Sequence, residues 1–253
     1  METKVRINPR YSQFADYISR LPQIFTTEGD TVHEGRNMIK LFSPDGGTTL
    51  FNVKRYHIPA LPNRLIYSLA LRKPKGVRAF TYPQMLIDRG FETPEAVAYI
   101  EERTCGLLGY SYFVSIQCPY ERRFYEIGNA PDGTYERLAE QFASFTAALH
   151  DSGVLHLDYS PGNILFTELP DGTYRFSLVD INRMRFGKVT MKQGLDNLKR
   201  LWGPKRFFTM LVERYAECRG FAVDEALDYA LKRRAAFWNR YMRKHKIEFR
   251  MEL

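Results

Sequence analysis

Cysteine is scarce in this chain, and the three present, Cys105, Cys118 and Cys218, lie far apart with no C-x-x-C pair. Zinc clusters and disulfide frameworks need closely spaced or paired thiols, so neither is expected, and the pattern suits a reducing cytoplasm. Long apolar runs are missing too. No stretch approaches the roughly eighteen consecutive apolar residues of a membrane-spanning helix. The opening residues, Met1-Glu2-Thr3-Lys4-Val5-Arg6, contain no apolar core of the kind a secretory signal carries. Internal repeats and low-complexity tracts are absent as well.

What is present is apolar and basic. Hydrophobic residues make up 44% of the 253 positions and aromatics 14%, enough for a sizeable core in one large domain or two modest ones. The balance of 37 Lys and Arg against 29 Asp and Glu leaves a net charge of +8. A basic surface favours anionic partners such as nucleotide, nucleic acid, phospholipid or phosphorylated glycolipid, and charge alone does not choose among them.

One stretch organises the rest: His156-Leu157-Asp158-Tyr159-Ser160-Pro161-Gly162-Asn163-Ile164-Leu165-Phe166. Pro161 and Gly162 forbid a regular helix, so Asp158 and Asn163 stand on a loop. Ile164-Leu165-Phe166 then begins a short buried strand. A second apolar run, Phe176-Ser177-Leu178-Val179, delivers Asp180 at its end. Mg²⁺ that bridges nucleotide phosphates takes hard oxygen ligands, and Asn163 and Asp180 are of that type. A hydroxyl nucleophile needs an oriented carboxylate, for which Asp158 is the candidate. Taken alone, His156 and Asp158 could instead cap a turn and Asn163 hold a loop, the lesser of the two readings.

The run H-x-D-x-S-P-G-N-I-L, followed by L-V-D-I-N-R-M-R-F, resembles the protein-kinase-like superfamily, whose catalytic loop reads H-x-D-x-x-x-x-N. It is most similar to the lipopolysaccharide core kinases that act on Kdo or heptose. The resemblance implies an α+β, two-lobed fold: a small five-stranded antiparallel β lobe and a helical C-terminal lobe, with ATP in the cleft between them. It implies that Asp158 orients the acceptor hydroxyl, that Asn163 and Asp180 hold Mg²⁺, and that His156 braces the loop.

Taken in order, residues 1–25 read as an N-terminal extension. Its amphipathic helix, marked by Tyr11, Phe14, Tyr17, Ile18 and Leu21, is expected to end before Pro22. The β lobe is placed at 26–118. Its first strands are Thr31–Glu34, Met38–Phe42 and, after the Ser43-Pro44-Asp45-Gly46-Gly47 turn, Thr48–Tyr56. In the V-K-R-Y of the third, Lys54 occupies the place of the lysine that grips the α/β-phosphates in the resemblance, although a strand lysine can also be merely solvated. Gly35 alone stands where protein kinases have a glycine-rich loop; it allows close backbone approach, and Arg36 and Asn37 would add donors. Arg64, Arg72, Lys73, Lys75 and Arg78 form a basic region leading into a helix that Pro83 should disturb. That helix should supply a glutamate for Lys54, yet the only acid between Leu65 and Arg89 is Asp88. Strands at Ala96–Glu101 and Tyr110–Ile116 complete the five, and Gln117 and Cys118 fall where backbone groups would meet adenine.

The helical lobe is placed at 119–253. A helix from Tyr135 with Thr134 as its cap ends at Gly153. Asn182 replaces the glycine of D-F-G, Arg183, Arg185 and Lys188 follow, and no A-P-E appears, which argues against docking of protein substrates. Two helical stretches, 194–218 broken at Gly203-Pro204 and 223–246, close the chain. The second concentrates Lys232, Arg233, Arg234, Arg240, Arg243, Lys244 and Lys246, a face that either rests on anionic membrane or is solvated.

The combined expectation is an ATP- and Mg²⁺-dependent kinase that phosphorylates a Kdo or heptose hydroxyl of the lipid A–core glycolipid. It would work in the cytoplasm, at the inner membrane face, with no nucleic-acid partner. The alternatives are another small-molecule or protein kinase on the same fold, and a catalytically impaired binding protein, which the missing helix glutamate would favour.

Overall fold

The computed structural model describes residues 2–69, 71, 73–249 and 251–253, so Arg72 of the basic region lies outside the described residues. The chain divides into two units, residues 1–88 with 93–119, and residues 89–92 with 120–253.

The first unit is built on a six-stranded antiparallel sheet rather than the five strands expected. Its strands are β1 (Glu2–Ile7), β2 (Asp30–His33), β3 (Met38–Phe42), β4 (Phe51–Tyr56), β5 (Ala96–Thr104) and β6 (Leu107–Ile116), in the order β1-β5-β6-β4-β3-β2. The additional strand is β1. Charged Glu2, Lys4 and Arg6 alternate with Thr3, Val5 and Ile7, the period of a strand with one wet face. Val5 pairs with Ile100 and Ile7 with Ala98, and both apolar side chains pack on the core.

A 3-10 turn (Pro9–Phe14) leads to α1 (Ala15–Ile24). Pro22 lies inside α1 and does not end it. The backbone bond it forfeits falls in the last turn, where burial of Ile18, Leu21 and Phe25 holds the helix on the sheet. Each such side chain contributes about 1.5–3 kcal/mol by leaving water. Phe25 meets Tyr112 edge-on at 5.5 Å, and Phe14 meets Phe51 at 5.4 Å.

Two further helices, α2 (Leu61–Ser68) and α3 (Lys75–Ile87), also belong to this unit. Gly76 lets α3 approach the Tyr99 ring so closely that a Cβ would overlap it. α3 runs through Pro83, which is buried.

The second unit contains β7 (Arg122–Arg123), α4 (Glu136–Asp151), β8 (Val154–His156), β9 (Ile164–Glu168), β10 (Tyr174–Leu178), β11 (Met184–Phe186), α5 (Met191–Leu198), α6 (Lys205–Cys218) and α7 (Val223–Met242). β10-β9-β7 make a small sheet and β11-β8 a ribbon. Phe124 sits at the centre of the core, 4.1 Å from the Phe142 ring and 6.2 Å from Phe207. Thr134 does not cap α4. Its hydroxyl donates to the Pro131 carbonyl, and the Glu136 carboxylate takes the Gly133 N–H at 2.9 Å instead. Gly153 turns the chain out of α4 at φ +76°, where a Cβ would stand only 3.2 Å from the Gly187 carbonyl oxygen.

The cationic face expected of α7 is only partly present. Arg234 is buried and donates to the carbonyls of Gly203 (2.9 Å), Leu201 (3.4 Å) and Glu252. Burial lowers its pKa to about 10. Arg233 pairs with Asp196 and Lys232 with Asp228. Arg240, Arg243, Lys244 and Lys246 remain exposed. No helix among the described residues is long and apolar enough to cross a membrane.

Candidate active site

The β8–β11 ribbon aligns His156 with Met184, and the Leu157 N–H continues the pairing to the Arg183 carbonyl at 2.8 Å. Pro161–Asn163 then forms a 3-10 turn. The loop is closed on itself. The Ser160 N–H and the Asn163 Nδ2 both reach the Asp158 carbonyl, at 2.9 and 2.8 Å. Tyr159 points inward, bonded to Thr146 at 2.8 Å and stacked on Phe142.

His156 is fully buried and locks this loop to the strand that carries Asp180. Its Nδ1 accepts from the Asp158 N–H at 3.1 Å, so the proton is on Nε2, which donates to the Val179 carbonyl at 3.1 Å. Burial lowers its pKa and keeps the ring neutral. From the other side, the Val179 N–H donates to the Asn163 carbonyl at 3.0 Å. Asp158, Asn163 and Asp180 are thereby gathered at adjoining chain ends. Asp180 adopts the left-handed region at φ +53°, uncommon outside glycine and a feature that clusters at functional sites. Its Oδ1 accepts from Asn182 Nδ2 at 2.5 Å, which gives the residue in the glycine position of D-F-G a defined task.

A second layer supports the loop. Asn197 of α5 donates to the His156 carbonyl at 2.8 Å. His150 reaches the Asn197 Oδ1 through Nε2 at 3.2 Å and accepts from the Tyr215 hydroxyl at Nδ1, 2.8 Å away. Arg219 donates in turn to the Tyr215 oxygen at 2.7 Å. Burial pulls the His150 pKa down to about 3.

The Asp158 carboxylate lies between two guanidinium groups. Arg200, just past α5, meets Oδ1, and Arg183 stands 3.7 Å from Oδ2. Sequence reasoning did not single out Arg200, Asn197 or His150, because no motif marks them; Asn197 and His150 are interior to the amphipathic helices α5 and α4, and Arg200 lies just past α5.

In the first unit, Lys54 projects from β4 with its ammonium 5.6 Å from the Tyr56 ring centre. α3 contains no acid, and Asp88 beyond it is engaged by Gln84 at 2.7 Å. Gly35 is exposed in the β2–β3 connection. Arg36 and Asn37 line a cavity of about 120 Å³ with Tyr56, His57 and Tyr67. The Gln117 N–H is committed to the Leu50 carbonyl at 2.9 Å, and its side chain bridges Asn52 and the Cys118 carbonyl. In the second unit, a cavity of about 670 Å³ between α4, β10 and α6 contains none of the loop residues.

The donor set of Asn163 and Asp180 fits Mg²⁺. Asn163 spends its Nδ2 on the Asp158 carbonyl, which leaves its Oδ1, a hard ligand, for a metal. No group of three or more His, Cys, Asp or Glu placed to hold a metal ion exists among the described residues. A metal at this loop would therefore complete its shell with water and phosphate oxygens, as Mg²⁺ commonly does.

The sequence matches no protein-family model, and no curated protein matches it significantly. Solved structures do match, 1423 chains in all, so the architecture is too widespread to select a substrate. One, described as WaaP in complex with acyl carrier protein, superposes with a TM-score of 0.62 at 14% identity, covering 96% of this chain and 100% of that one. At that identity the likeness shows a shared fold. It is a mixed α/β fold with a six-stranded antiparallel sheet.

Proposed function

We propose that this chain is an ATP- and Mg²⁺-dependent phosphotransferase whose acceptor is a sugar hydroxyl of an anionic glycolipid, Kdo or heptose of the lipopolysaccharide inner core. The observation that carries the reading is the double lock of His156 and Asn163 on Val179, which gathers one carboxylate, one amide and a second carboxylate at one loop. Phosphoryl transfer asks little of the protein beyond positioning and charge neutralisation, and a rigid loop of this composition supplies both. Asp158 would hydrogen-bond the acceptor hydroxyl and take its proton as the oxygen attacks the γ-phosphorus and the bond to the β-phosphate oxygen breaks. Asn163 and Asp180 would hold the metal, which offsets charge on the phosphates when bound. Lys54 is proposed to grip the α/β-phosphates, with Gly35, Arg36, Asn37, Gln117 and Cys118 as further nucleotide contacts. His156 is neutral and doubly bonded, so it positions and does not exchange protons. The WaaP fold match supports the kinase theme, and the acceptor comes from the catalytic-loop resemblance.

The test is Asp158→Asn, which keeps the shape of the side chain and removes its basicity. Transfer of phosphate from ATP to purified lipid A–core should fall about 10²–10⁴-fold, the scale of a positioned general base. ATP affinity measured by calorimetry should hold. Full transfer by the variant would sink the reading.

A further inference from the structure

Asp158 is a carboxylate with two arginines on it. Arg200 contacts one of its oxygens and Arg183 stands 3.7 Å from the other, so a single carboxylate is shared by two guanidinium groups. Neither arginine has another carboxylate in ion-pair range among the described residues. The groups are reachable from solvent: side-chain exposure is 26% for Asp158, 35% for Arg200 and 54% for Arg183. Both are also held from behind. The Arg200 guanidinium lies 5.7 Å from the Phe237 ring centre, and the Arg183 backbone is pinned by Leu157. A structural ion pair needs one cation. Two pre-positioned guanidinium forks, each with planar donors suited to carboxylate or phosphate, have the makings of an anion site.

The pairing also has a chemical consequence. A carboxylate oxygen that already accepts from a guanidinium has less room to accept from a hydroxyl. An incoming anion that draws Arg200 away would release Asp158 Oδ1 toward the hydroxyl. We propose that Arg183 and Arg200 form an anion subsite beside Asp158, and that the acceptor carries a carboxylate or phosphate within roughly 5 Å, about two hydrogen-bond lengths, of the hydroxyl it presents. This rests on the phosphotransferase reading of Asp158 and narrows it to acceptors that are anionic next to the reacting group.

Two pairs of probes test it on the full chain by calorimetry: Kdo against its methyl ester, and mannose 6-phosphate against mannose. The wild-type protein should bind the anion of at least one pair about tenfold or more tightly than its neutral partner, the scale of one charge-assisted hydrogen bond. The pair that shows the difference identifies carboxylate or phosphate. The double variant Arg183→Met with Arg200→Met should erase the preference, and Arg200→Lys should keep part of it. If circular dichroism shows the double variant unfolded, Arg183→Gln and Arg200→Gln are read singly in its place. Equal binding within both pairs, no binding of either anion, or a preference that survives loss of both arginines would overturn the subsite. Phosphate transfer from ATP to the same probes is read separately. If the wild type transfers neither to these probes nor to purified lipid A–core, the phosphotransferase reading fails, while the binding ratios still decide the subsite.

Discussion

His150 and His156 show how two buried side chains of one type share a task at the residue scale. Each imidazole is neutral because desolvation outweighs its hydrogen bonds, and each spends both nitrogens on fixed partners around the loop. The folded pKa values lie below the ordinary value of 6.5, so in the unfolded chain both rings take up protons first. The stability they confer is complete above pH 6.5 and is lost as pH falls, down to about 3 for His150. Between pH 6.5 and 5, before carboxylates titrate, the unfolding free energy should drop by about 1 kcal/mol per pH unit for His150, with His156 acting in the same direction. Urea titrations across that window check this. His150→Gln should remove one share of the slope, and a flat profile in the wild type would contradict the neutral assignments.

At the scale of elements, β1 is an edge strand that closes the β5 side of the sheet. Its apolar side chains, Val5 and Ile7, face the core, while Lys4 and Arg6 face water. Lysines and arginines on an edge discourage further pairing, so the strand both completes the core and ends the sheet. Val5→Asp would press a charge against Ile100 and its neighbours and should cost roughly 1–3 kcal/mol in urea unfolding, whereas Arg6→Thr should stay within about 0.5 kcal/mol. Equal effects would show that β1 does not pack as described.

For the whole molecule, the net charge of +8 is the governing quantity. Arg240, Arg243, Lys244 and Lys246 stay exposed, whereas Arg234 is withdrawn into the core and Lys232 and Arg233 are paired with carboxylates, so the share of the attraction expected from this stretch rests on the first four. Binding to vesicles containing anionic lipid is expected, and it should weaken as salt rises, since screening acts beyond about 8 Å at physiological ionic strength. Co-sedimentation at increasing salt measures it. Charge reversal at Arg240 and Lys244 should weaken it further. Equal retention on neutral vesicles would exclude an electrostatic attraction.

Local signals were enough for much of this chain. Pro161 and Gly162 dictate a loop wherever they fall, and the apolar runs at 164–166 and 176–179 announce β9 and β10. The Gly203-Pro204 break between α5 and α6 was equally plain, because glycine and proline act through their own backbone. β1 was not legible. With only Val5 and Ile7 apolar, its strand character depends on β5, a partner far along the chain. Arg234 read as one more surface cation until three carbonyls from elsewhere in the fold took it inside. The placement of Asp158 and Asn163 on one loop was written in their spacing. The neutral tautomer of His156, the Asn197 and His150 supports, and the pairing of Asp158 with Arg183 and Arg200 were decided by tertiary structure alone, because each depends on residues that only folding brings within hydrogen-bond or ion-pair range.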